Sequence, residues 1–194
     1  MESIALVAAG WSAGFNAYLT VLILGVSGRL EWADTPASLQ QNWVLVAAGI
    51  AFVVEFVIDK IPLLDSVWDA GHTLIRPMIG GMTGAAIAGA QLGRPAAFAL
   101  AAGLALTGHL TKATGRLAIN MSPEPFTNVV ASVAEDGMVA VLVALAMAYP
   151  VVAAVIASVL AIIGVLIALS LRRLVRKGLR RVRARSRAGP STAT

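Results

Sequence analysis

The sequence predicts an all-α fold: a polytopic membrane helix bundle of about six transmembrane helices, with short Pro-bounded amphipathic or re-entrant helices between them. Three observations predict it. Of 194 residues, 58% are hydrophobic and 13% are charged, about half the charge of an ordinary globular domain. The mean hydropathy is +0.83. Residues 3–28, 77–93 and 137–171 contain no Asp, Glu, Lys or Arg, and such runs are the signature of spans through a hydrocarbon core. This composition excludes an ordinary globular enzyme, and the absence of cysteine excludes disulfides and thiolate metal sites.

Taken in order, residues 3–28 are long enough at about 1.5 Å per residue to cross a core of about 30 Å. No positive region precedes them, so they read as a retained span and not a cleaved signal. A polar loop over 28–42 carries Trp32 and Trp43 at its two rims. The second span, 43–60, is interrupted by Glu55 before Asp59 and Lys60. Pro62 and Pro77 mark off a separate amphipathic helix over 63–76, because proline removes a backbone donor and clashes with the preceding turn. The third span, 77–93, is built on Gly80, Gly81, Gly84, Ala85, Ala88 and Gly89, whose spacing allows close helix contact. A fourth helix opens at Arg94 and Pro95 and turns polar at His109. Residues 122–125, Ser-Pro-Glu-Pro, break the chain again. The run 137–171 would extend about 52 Å as one helix, and Pro150 divides it into the fifth and sixth spans.

Charge is distributed unevenly. Nine of the fifteen basic residues fall between Arg172 and Arg187 with no acid among them, which leaves residues 1–171 with six basic and ten acidic residues. The sequence thus divides into one transmembrane domain, 1–171, and a basic juxtamembrane tail, 172–194, in which the sixth helix continues as an interfacial basic helix, with Leu174, Val175, Leu179 and Val182 at helical spacing opposite the arginines, and which is disordered from 188. The positive-inside asymmetry places both termini in the cytoplasm and the protein in a bacterial cytoplasmic (inner) membrane as a multi-pass chain. The expected partners are the lipid bilayer, anionic lipid at Arg172 to Arg187, and a second copy; a juxtamembrane tail is no nucleic-acid surface. No cofactor is expected.

The candidate site follows from helical periodicity. Asp65, Asp69, His72 and Arg76 stand at i, i+4, i+7 and i+11, on one stripe. His109, Lys112, Arg116 and Asn120 repeat the pattern at i, i+3, i+7 and i+11. Glu55 and Asp59 share a third face, with Lys60 beside them, and Asn128, Ser132 and Glu135 form a fourth. Glu124 lies in the Pro-bounded break. Opposite signs imply that these stripes meet, since charges at membrane depth face a protein interior or a wet cavity. Each also has an ordinary reading, as a solvated helix face or a helix-end anchor, except that Glu55 is too short to snorkel. Asp65, Asp69 and His72 have the spacing of metal ligands on one helix face; a structural ion-pair network uses the same residues.

Several ordered stretches carry a resemblance: GFNAYLT from Gly14, VEFVIDKIP from Val54, DSVWD from Asp65, HTLIRP from His72 and NMSPEPFTN from Asn120. Over about residues 8–170 the chain resembles the bacterial membrane family catalogued as domain of unknown function 4126. That resemblance implies a small polytopic membrane protein and brings no activity with it. The function expected from the sequence is a small permease or carrier with a cytoplasm-facing polar cavity, coupled to protons or cations. The alternatives are a non-transporting membrane scaffold with a lipid-binding tail, and an intramembrane metal-dependent lipid enzyme. Non-enzymatic readings take precedence, because no nucleophile elbow or phosphate-binding loop is present.

Overall fold

The computed structural model describes residues 2–61, 63–120 and 125–187. They form seven helices: α1 Glu2–Phe15, α2 Ala17–Arg29, α3 Asn42–Ile58, α4 Leu64–Leu92, α5 Arg94–Asn120, α6 Pro125–Ala148 and α7 Pro150–Arg187. The all-α expectation holds. Helix α1 is central and packs on α4, α5, α6 and α7, while α4 and α5 form the most extensive pair as an antiparallel hairpin. Gly93 makes that hairpin turn at φ +80°, a conformation that costs glycine nothing.

The polytopic half of the expectation does not hold. Among the described residues only Phe126–Ala148 and Pro150–Ser170 are long and apolar enough to cross a membrane. The run over 3–28 is two helices, because Asn16 leaves helical geometry (φ −146°, ψ 98°) and its side chain accepts the amide of Leu19. Helix α3 has 17 residues and spans about 26 Å. Helices α4 and α5 carry buried charge. Counting uncharged residues presumes an unbroken helix, and a buried polar cap is invisible to that count. The multi-pass inner-membrane topology, with both termini on one face, loses its basis with the six crossings.

One further boundary differs. Residues 63–76 are no separate helix, since α4 runs through Pro77. Proline deprives one carbonyl, four residues back, of its donor, but α4 is held along its length by α5 and α1. The basic stretch directly continues α7 to Arg187, with Arg173 and Arg176 exposed. The expected disorder after 188 and the break at 122–124 lie outside the described residues.

Small residues bring the central helices together as their spacing indicates. A Cβ on Gly14 would lie 2.1 Å from the Ala105 carbonyl, and one on Gly108 would lie 2.4 Å from the Trp11 carbonyl. Gly84 likewise meets Ala101. Backbone atoms cannot give way as side-chain tips do, so overpacking here costs at least about 1–3 kcal/mol. Gly14→Ala and Gly108→Ala are therefore expected to lower the unfolding midpoint clearly. Gly103→Ala, where a Cβ meets nothing within 4 Å, should raise stability by about 0.5–1 kcal/mol; equal effects at the three positions would refute the packing argument.

Candidate functional site

The four stripes converge. Helix α4 turns Asp65, Asp69, His72 and Arg76 inward, α5 turns His109, Lys112 and Arg116, α3 supplies Glu55 and, at its C-cap, Asp59, and α6 supplies Asn128 and Ser132; all are buried. Arg76 Nη2 lies 2.7 Å from Glu55 Oε1 and 2.8 Å from Asp69 Oδ1. The contact with Asp69 is an ion pair without an aligned hydrogen bond, since Asp69 Oδ1 counts among the buried oxygens lacking one. Lys112 Nζ reaches Asp59 Oδ2 at 2.6 Å and Glu55 Oε1 at 3.2 Å. Arg116 binds Glu135 through Nε and Nη2, the shorter contact 2.7 Å, and donates through Nη1 to Asn128 Oδ1 at 2.8 Å and the Asp59 carbonyl at 2.9 Å. Asn120 closes the far end on Asp65 at 2.9 Å.

The break in the first helical run completes the shell. In an unbroken helix the Leu19 amide would bond the Phe15 carbonyl; here it bonds Asn16 Oδ1 at 2.9 Å. The Phe15 carbonyl accepts instead from Lys112 at 3.2 Å, and the Gly14 carbonyl accepts from Arg76 at 3.2 Å. Carbonyls at a helix C-terminus carry partial negative charge and favour cations. Asn16 Nδ2 donates to Asp136 Oδ1 at 3.0 Å, which fixes the break to α6.

His109 is neutral by its partners. Arg76 Nη1 can only donate, so His109 Nδ1, 3.1 Å away, accepts, and Nε2 donates to Thr73 Oγ1 at 3.2 Å. Burial first, and then the Arg76 charge, pushes His109 down to about 4. His72 Nδ1 donates to the Trp68 carbonyl at 2.8 Å; burial lowers the pKa of this ring too, which favours the neutral form in which Nε2 accepts from Tyr18 Oη at 2.9 Å. For Arg76 and Lys112 burial works against the charge, yet the surrounding carboxylates, Glu55 above all, outweigh it and raise both.

The expected residues are thus brought together, with two exceptions. Lys60 sits at the rim, over the Phe56 ring and 3.4 Å from Ser132 Oγ. Glu124 lies outside the described residues. Sequence reasoning missed Asn16, Tyr18 and Thr73 as parts of the site. Asn16 inside an apolar run was itself the available signal for the first, because Asn is a favoured N-cap and turn residue.

What the geometry overturns is the carrier. The acids and cations face one another, and two surface clefts formed by the described residues are lined by none of the network's charged residues, so neither opens on them. The metal-dependent lipid enzyme fails as well: among the described residues no group of three or more His, Asp or Glu could hold a metal. Asp65, Asp69 and His72 turn to Asn120, Arg76 and Tyr18 respectively. The membrane scaffold loses the six-span body on which it rested.

A family model described as Domain of unknown function (DUF4126) matches residues 4–171. No curated protein and no solved structure matches the chain.

Three cations (Arg76, Lys112, Arg116) face five acids (Glu55, Asp59, Asp65, Asp69, Glu135), so losing a cation and losing an acid are unequal events. Arg76→Met strands Asp69 and leaves Glu55 with Lys112 alone, and is expected to cost about 3–5 kcal/mol. Glu55→Gln, which relieves the excess, should cost less than half as much in the same denaturant titration. The histidines give a pH signature. As pH falls from 6.5 toward 4, unfolded His109 takes a proton that the folded chain refuses, so its contribution to stability is complete above 6.5 and is lost through that window. His109→Gln should flatten the fall in the unfolding midpoint there; an unchanged slope would exclude the assignment.

Proposed function

The chain belongs to the DUF4126 family, and with that as premise we propose that it is a non-enzymatic partner-binding protein. In this reading a charge-locked helical frame presents the apolar outer face of α6 and α7, and the partner is lipid. The position of the reactive groups supports the non-enzymatic half. The carboxylates and imidazoles suited to acid–base work are engaged with one another inside the bundle, and a substrate reaching them would have to break buried pairs at a cost of several kcal/mol.

One observation carries the lipid half. Phe126–Ala148 and Pro150–Ser170 have the length and composition of spans, yet only 28% and 17% of their most apolar stretches are buried. A core helix of that composition would be covered by the rest of its chain. Val155, Ile162 and Leu166 on α7 are 58%, 60% and 58% exposed, and contiguous apolar surface of this kind marks an interaction face. Protein interfaces carry about one hydrogen bond per 100–200 Å², whereas residues 151–169 offer a single side-chain hydroxyl, Ser158. Lipid asks for none. The nine basic residues that follow in 172–187 match anionic headgroups. This partner requires neither a solute path nor six crossings.

Flotation of the full chain with vesicles of neutral lipid tests the reading. Val155→Ser, Ile162→Ser and Leu166→Ser together are expected to weaken flotation more than about tenfold, each removing an apolar side chain worth about 1.5–3 kcal/mol on full burial, with helix content unchanged. Anionic lipid should raise wild-type flotation, and high salt should remove that increment. Undiminished flotation of the triple variant would sink the proposal. A concentration-dependent dimer mass without flotation would assign the face to a second copy instead.

A further inference from the structure

The charge network ties down one end of α3 and leaves a gap at the other. Glu55 and Asp59 bind its C-terminal half to α4 and α5, whereas α3 otherwise leans on α2 and scarcely meets α4. Between them lies a cleft of about 830 Å³, within the range of small-molecule sites, roughly 300–1,000 Å³. Its width has a cause in the sequence. Ala47, Ala48 and Ala51 line it from α3 and Ala85 and Ala86 from α4, so neither wall has the side chains to fill it. Trp43, Met82 and Phe98 complete an apolar lining.

The polar groups of the lining are few: the hydroxyls of Ser38 and Thr83, the Trp43 indole, Tyr18 and Arg94. The Trp43 indole donates to Gln41 Oε1 at 2.6 Å and Tyr18 Oη donates to His72. Arg94 is the only charged residue lining the cleft. It is exposed, and it makes no salt bridge among the described residues. A neighbouring cleft of about 790 Å³ has the opposite sign, with Asp34 as its only charged lining residue. The first cleft therefore joins a long apolar trough to one unpaired guanidinium, a group suited to carboxylate geometry.

We propose that this cleft binds a single-chain anionic amphiphile, a long-chain carboxylate, with its alkyl chain between α3 and α4 and its headgroup on Arg94. The site is separate from the outer face of α6 and α7, and it stands or falls independently of that face.

The test is titration of the full chain, held in a non-ionic detergent, with dodecanoate, and with dodecanol as the neutral control at the same mole fraction in the detergent. Wild type is expected to bind dodecanoate saturably at one site, about tenfold or more tighter than dodecanol, since a hydrogen bond to a charged group contributes on that scale. Arg94→Gln should bring dodecanoate down to the dodecanol level. Ala51→Phe, which places a ring in the trough, should abolish saturable binding with thermal unfolding unchanged. Should Ala51→Phe fail to fold, Arg94→Gln at its exposed position decides the matter. Wild-type binding by the Arg94 variant would overturn the proposal, and so would saturation by an anionic phospholipid with no response to dodecanoate.

Discussion

Three cations held out of water, Arg76, Lys112 and Arg116, set the positions of most of the structure around them. Burying a charge costs several kcal/mol unless partners surround it, and no single helix can surround three. The partners come from α3, α4 and α6 as carboxylates and from α1 as carbonyl oxygens. Each source imposes a constraint. Helix α1 must stop where two of its carbonyls are needed, α3 must bring its acidic end inward, and α1 must lie so close to α5 that Gly14 and Gly108 have no room for a Cβ.

The same constraint explains why so polar an interior is closed. Ion pairs at 2.6–2.8 Å leave no space for a solute between the partners, and Arg76, Lys112 and Arg116 each donate to a backbone carbonyl besides. Where the network ends, small side chains take over. On the α3 flank the alanines fall short of contact and a cleft remains. At the outer face of α6 and α7 neither charge nor neighbouring helix supplies a partner, and the apolar side chains stay uncovered. Rigid centre and available periphery are thus two results of one arrangement of charge.

Much of this was legible beforehand. The stripes through Asp65 and His109 could be read from a 3.6-residue period alone, and Glu55 stood out as an acid too short to reach an interface. The structure pairs these residues as opposite signs require. Other features had no local signal. That α4 passes through Pro77 depends on the helices packed beside it. That Asn16 caps α2 and not a turn in a span depends on Asp136, 120 positions away. Tyr18 looked like one aromatic in an apolar run, and only the fold places it on His72.

By itself the sequence determined that the protein is helical, that its charges lie on shared faces, and that its last long helix is apolar and then basic. Those properties belong to periodicity and composition, which each residue carries wherever the chain goes. Tertiary structure decided whether the charges would open onto a cavity or close on one another, and which apolar runs would be covered. Both depend on distances between residues remote in the chain. Those distances are set by the packing of α1 against α4 and α5, and no pattern of residue types records them.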